Sequence, residues 1–197
     1  MINLIKQENI NSNKKILVIG VFHGDEKQGE YFINTYLEKY PDCGKNSIYF
    51  IPKLNPSGTR KNSNGVDLNR NFPTKNWELG QKESDYYGGQ KPASEIETQF
   101  LVDLINKNNF SAIITIHAPY KTVNFDGPAE TLAQKISDII GYPPSSDIGY
   151  ATPGSFGTYC GKEKLIPTIT IEIDEEEKME PLNQKFHKLF EYLKNEY

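Results

Sequence analysis

Four runs of apolar, β-branched and aromatic residues stand out along the chain: KILVIGVF at 15–22, SIYFIPKL at 47–54, FSAIITIH at 110–117 and IPTITIEI at 166–173. Each is bounded by turn-forming or polar residues, which predicts four central strands. Between them, apolar residues recur at helical spacing over 25–40, 94–108, 129–140 and 182–197, predicting four amphipathic helices. Ser94 followed by Glu97 has the form of a capping box and predicts a helix start there. Because strand and helix alternate, the pattern implies an α/β sandwich with a largely parallel sheet.

One stretch departs from the alternation. Residues 55–93 are dense in Asn, Gly, Pro, Lys and Tyr and follow neither period, and loops of that length are uncommon unless they carry function or are disordered. No internal repeat is present, and the one biased tract is the acidic DEEEKME at 174–180. A chain of 197 residues with 37% hydrophobic content suffices for one full core and is short for two, so residues 1–197 are expected to form a single domain.

Charge and cysteine content narrow the classes further. The formal charge of −4 comes from 26 acidic and 22 basic residues spread along the whole length; with no long basic stripe, nucleic acid is not expected as a partner. The start, MINLIKQENINSNKK, lacks the apolar core of a secretory signal, and nowhere do about 18 apolar residues run together as a membrane span requires. The expectation is a cytoplasmic protein with no membrane partner. Cys43 and Cys160 are far apart and have no metal-type spacing, so both read as structural thiols. Oligomeric state has no signature in the chain.

In a parallel sheet, ligand sites form outside the carboxyl ends of the strands. His23 ends the first predicted strand, His117 the third, and Glu172 lies near the end of the fourth. With Glu26 on the first turn of the following helix, the two imidazoles and this carboxylate supply three ligands for a divalent ion and leave a fourth position for water, an open catalytic zinc site. The alternative for each residue taken singly is a satisfied polar group at a strand end. The remaining histidine, His187, falls in the terminal amphipathic helix and reads as a packing or surface residue.

HGDE (23–26), LNPSGTR (54–60), GVDLNRNFP (65–73), TIH (115–117) and the glutamate of IEI at 172 occur in the order seen in zinc metallocarboxypeptidases of the carboxypeptidase A type, and Tyr150 falls 22 residues before Glu172 as that pattern expects. The chain resembles that family over most of its length. The resemblance implies a compact three-layer α/β/α sandwich with a mixed, centrally parallel sheet, one zinc ion per chain, and a small peptide substrate with a free terminal carboxylate. His23, Glu26 and His117 would hold the zinc. Asp67 would orient His23 through its distal N–H. Glu172 would be the general base, and Arg60 the cation facing the oxyanion. Asn69 and Arg70 would clamp the substrate carboxylate, and Tyr150, set among Gly and Pro, would close over the bound residue.

Within the family, NGVDLNRNFP, PASEIET and PGSFGTYCG with IPTITIEI look most like bacterial murein peptide amidases, cytoplasmic enzymes that cut between γ-D-glutamate and meso-diaminopimelate in recycled wall peptides. Two other enzymatic readings stay open: an aspartoacylase or succinylglutamate desuccinylase type, which shares H-G-x-E and D-L-N-R but usually carries a further β-rich part, and a protein-tail deglutamylase. A non-catalytic carboxylate-binding relative would have lost its base, whereas Glu172 is present. Gly157, Ser155 and Thr168 are candidate walls of the specificity pocket.

Overall fold

The computed structural model describes residues 2–197. Its elements run β1 (Ile5–Gln7), β2 (Lys15–Ile19), α1 (Gln28–Lys39), β3 (Ser47–Ile51), a 3-10 turn (Leu68–Arg70), α2 (Ile96–Lys107), β4 (Ala112–His117), β5 (Thr122–Asp126), α3 (Glu130–Ile140), β6 (Pro144–Ser145), a π-helical turn (Thr158–Glu163), β7 (Thr168–Glu172) and α4 (Met179–Asn195). One sheet of order β1-β3-β2-β4-β7-β5-β6 joins them. Strands β3, β2, β4 and β7 are mutually parallel; β1 pairs antiparallel with β3 and β5 antiparallel with β7, while β6 runs parallel to β5.

The four parallel strands are the four predicted apolar runs. Side chains alternate across a strand, so Ile16 and Val18 of β2 face one layer, with Phe32, Ile136, Phe186 and Phe190 of α1, α3 and α4. Leu17 and Ile19 face the other, with Leu101 and Ile105 of α2, Phe72 and Phe156 from the loops and Tyr159 of the π-helical turn. Burial on both faces explains why these strands read as continuous apolar runs.

The structure corrects several boundaries. The first run stops being a strand at Ile19, so His23 lies in the loop after β2 and Glu26 precedes α1, which begins at Gln28. Ser94 does not cap α2: the helix starts at Ile96 with Glu95 extended before it and no side-chain cap bond, because Ser94 Oγ donates instead to Glu95 Oε1 and Glu97 turns inward toward Asn62. The sequence pattern missed β1, β5, β6 and the π-helical turn. Three of these are edge or near-edge strands of two to five residues, too short for a periodic signal. Cys43 is exposed and Cys160 buried, both as free thiols. His187 packs against the rings of Tyr36 and Tyr40 and lies 3.0 Å from Thr35 Oγ1.

Candidate active site and metal centre

The carboxyl ends of β2, β4 and β7 meet at one edge of the sheet. His117 and Glu172 are the last residues of β4 and β7 and stand opposite each other in register. After β2 the chain turns sharply, Glu26 N–H donating to the His23 carbonyl, so both side chains point back toward His117. The Phe22 ring packs on His117 at 5.4 Å.

His23 Nδ1 lies 2.8 Å from Glu26 Oε1 and 3.3 Å from His117 Nδ1, and His117 Nδ1 lies 3.1 Å from Glu26 Oε2. The ligand atoms of all three residues fall within 4.8 Å of one another, and all three residues are buried. On its far side His23 Nε2 meets Asp67 Oδ1 at 3.1 Å. With one proton held on Nε2 by that carboxylate, Nδ1 faces the Glu26 carboxylate across a gap that calls for positive charge, supplied either by a second proton on the imidazole or by a cation. Glu26 Oε2 is buried and makes no hydrogen bond. Two converging imidazole nitrogens and an orphaned carboxylate oxygen fit a divalent cation with N/O preference.

The electrostatics agree. Burial opposes charge on His23, yet its hydrogen bonds to Asp67 and Glu26 outweigh that and push its pKa up to about 9. Burial likewise works against ionised Glu26, but the facing His117, and His23 after it, bring its pKa down to about 2. Asp67, completely buried, is held well below the usual carboxylate range: burial is overcome by His23, Arg60 and Arg70. Glu172 goes the other way. Burial, then the charge of Glu26, pushes it up to about 8, and its Oε2 has no hydrogen-bond partner.

The 3-10 turn carries the polar groups opposite the cluster. Asp67 caps it, accepting from Asn69 N–H at 2.9 Å, and its other oxygen takes Arg60 Nη2 at 2.9 Å, so one carboxylate ties together His23, Arg60 and the turn. Asn69 Oδ1 accepts from Phe156 N–H, which leaves its amide NH2 for a ligand. Arg70 Nη1 donates to the Asn69 carbonyl. Gly154, at φ +70°, has no room for a Cβ beside the Arg70 carbonyl. Tyr150 is 41% exposed, packs on Tyr120 at 6.2 Å and, by burial and that neighbour, keeps its phenol protonated up to about 12.

A cavity joins these groups: His23, His117, Glu172, Arg60, Asn69, Arg70 and Tyr150 all line it. The nine site residues expected from sequence thus converge, with Glu26 and Asp67 directly behind the cavity wall through His23. Of the pocket candidates, Ser155 and Gly157 line the cavity, whereas Thr168 is fully buried away from it and Thr170, two residues on, takes its place. Two groups that sequence reasoning passed over matter here. Asp126 and Asn124 of β5 line the cavity. Glu95 accepts from Asn62 and Asn64 while its N–H donates to Asn71 Oδ1, pinning the residue next to Arg70; its place in PASEIET was the available signal.

The zinc carboxypeptidase family profile matches residues 1–131. The chain belongs to the zinc carboxypeptidase family. It is a zinc metallopeptidase by that membership, with a mixed seven-stranded sheet of the family's kind. Murein peptide amidase A of Vibrio campbellii is 34% identical over 83% of this chain and 71% of the relative; that of Escherichia coli K12 is 32% identical over 78% and 69%. The crystal structure of murein-tripeptide amidase MpaA from Escherichia coli O157 superposes with TM-score 0.82 at 27% identity, covering 96% of this chain and 84% of that one. Carboxypeptidase A from Helicoverpa armigera shares the fold at TM-score 0.79 and 16% identity, covering 98% and 63%. Among the described residues no helix is long and apolar enough to cross a membrane.

Proposed function

We propose that this zinc carboxypeptidase-family chain hydrolyses the γ-D-glutamyl–meso-diaminopimelate bond of murein tripeptide, L-Ala-γ-D-Glu-meso-diaminopimelate, in the cytoplasm, as a single domain over residues 1–197 holding one zinc ion through His23, Glu26 and His117. When bound, the zinc supplies a Lewis acid that polarises the scissile carbonyl and acidifies a water. Asp67 fixes the His23 tautomer. Glu172, desolvated and without a partner for Oε2, accepts the proton of the attacking water and delivers it to the leaving nitrogen. Arg60 faces the charge that develops on the carbonyl oxygen, Asn69 and Arg70 take the substrate's terminal carboxylate, and Tyr150 covers the bound residue.

The observation that carries the substrate assignment is Asp126. It lines the cavity together with the neutral polar groups Asn124, Thr170, Ser155 and Thr152, and a Cβ at residue 157 would overlap its Oδ2, so Gly157 is what leaves that oxygen free. Its Oδ1 lies 3.2 Å from Lys162 Nζ at the exposed edge. The pocket therefore offers the free oxygen of an anion to the far ammonium of diaminopimelate and neutral hydrogen-bonding groups to its far carboxylate, and an apolar side chain there would leave that oxygen unpaired. The 34% identity to a protein named murein peptide amidase A supports the same substrate.

The test compares kcat/KM for the tripeptide with analogues ending in 2-aminopimelate, which lacks the far ammonium, and in lysine, which lacks the far carboxylate. Both are expected to be poorer, and Asp126→Asn is expected to remove most of the preference over 2-aminopimelate. Equal rates on all three in the wild type would overturn the assignment. A second prediction concerns the clamp. Arg70→Ala should weaken substrates with a free terminal carboxylate by about 10-fold to 150-fold, the size of a lost charge-assisted contact of roughly 1.5–3 kcal/mol, and leave amidated forms little changed; equal losses on both would remove Arg70 from that role.

A further inference from the structure

Tyr86 belongs to the long loop, is 51% exposed and has no part in the chemistry described so far. Its ring nonetheless receives two guanidinium groups: Arg60 Cζ lies 4.9 Å and Arg70 Cζ 5.3 Å from its centroid. Each guanidinium is otherwise held by one hydrogen bond. Arg60 has a single hydrogen bond, to Asp67, and its Nε is buried with no partner. Arg70 has one, to the carbonyl of Asn69. A guanidinium with one anchor rotates about it; a π face beneath supplies a second constraint and an electrostatic attraction. The same face also lets two like charges sit near each other, since the ring quadrupole attracts both.

We propose that Tyr86 is a positioning residue that holds Arg60 and Arg70 together in their working orientations, so that the group facing the oxyanion and the group clamping the terminal carboxylate are set by one aromatic ring. The proposal rests on the roles given to the two arginines under the proposed function. Its consequence is a split effect: loss of the ring acts on KM through Arg70 and on kcat through Arg60. The hydroxyl is not required, since the attraction comes from the ring.

Two variants test it. Tyr86→Leu keeps apolar volume without a π face, and Tyr86→Phe keeps the face without the hydroxyl; thermal unfolding of both checks that the exposed loop residue has left the fold intact. Tyr86→Leu is expected to lower kcat/KM for the tripeptide by about tenfold, with KM raised and kcat reduced, and to add little further loss in an Arg70→Ala background beyond its kcat component. Tyr86→Phe should stay within about twofold of the wild type. Arginine side-chain NMR of the zinc-loaded enzyme without substrate provides a readout independent of what the enzyme cleaves: two guanidinium signals shifted upfield by the ring current, kept in Tyr86→Phe and lost in Tyr86→Leu. Unshifted arginine signals in the wild type, a Tyr86→Leu variant as active as wild type, or a Tyr86→Phe variant as impaired as Tyr86→Leu would each overturn the proposal. If the tripeptide is not cleaved while the ring-current shifts are present, the substrate reading falls and the positioning role stands.

Discussion

Replacing Glu172 by Gln should abolish most turnover while leaving fold and metal content unchanged. The amide is isosteric with the carboxylate, so the last residue of β7 keeps its pairing with His117 and Thr122, and the neutral side chain suits a position that is only 5% exposed. What is lost is the capacity to accept a proton. No other carboxylate in the cavity is placed to substitute: Glu26 belongs to the ligand cluster, Asp67 is spent on His23 and Arg60, and Asp126 lies beside Gly157. General-base loss typically costs about 10²–10⁴-fold in rate, and in the proposed mechanism the same residue also returns the proton to the leaving nitrogen. The check is kcat measured beside zinc content and thermal midpoint. A variant within a few-fold of wild type would assign the base to another group.

His117→Ala should lose the metal and, with it, the activity. His117 Nδ1 lies 3.3 Å from His23 Nδ1 and 3.1 Å from Glu26 Oε2, so truncation would remove one of the three proposed ligands. Loss of a direct ligand should exceed the roughly 10–100-fold drop in metal affinity typical of an outer partner such as Asp67. The wild type is expected to retain about one zinc per chain through dialysis against a chelator that strips His117→Ala. Since imidazole ligands bind a metal only when neutral, and His23 holds a proton up to about 9 when its neighbours alone decide, acid should release the ion and mildly basic buffer favour its uptake. Equal zinc retention by the two proteins would remove His117 from the ligand set.

The residues that specify the parallel sheet were legible because their covering on both faces leaves them as uninterrupted apolar runs: all five residues of β3 and all six of β4 are buried. The candidate metal ligands were legible in part for a related reason. His117 ends such a run, and in a chain with three histidines its position points to the sheet edge, while the full set with His23 and Glu26 rested on the resemblance to zinc carboxypeptidases. Less visible was everything that depends on tertiary pairing. Asp126 belongs to a five-residue strand whose pattern is weak, and nothing local says that it enters the cavity through its antiparallel pairing with β7. The second contact of Asp67, to Arg60, and the Tyr86 ring against two arginines come from a loop that obeys neither helical nor strand periodicity, whereas the contact of Asp67 to His23 was expected from the resemblance. Ser94 and Glu97 misled for a physical reason. Their polar side chains are engaged by Glu95, Asn71 and Asn62 in anchoring that loop, which outweighs the cap they would otherwise form.

The measurement that bears most directly on the central claim is the ratio of kcat/KM for L-Ala-γ-D-Glu-meso-diaminopimelate to that for the same sequence with an α-linked L-glutamate and an ordinary L-residue at the end, both assayed with zinc-loaded enzyme. The account predicts efficient release of diaminopimelate from the γ-linked tripeptide and a far lower value for the α-linked peptide. Preferred cleavage of the α-linked peptide would make the protein a general carboxypeptidase and contradict the cell-wall assignment.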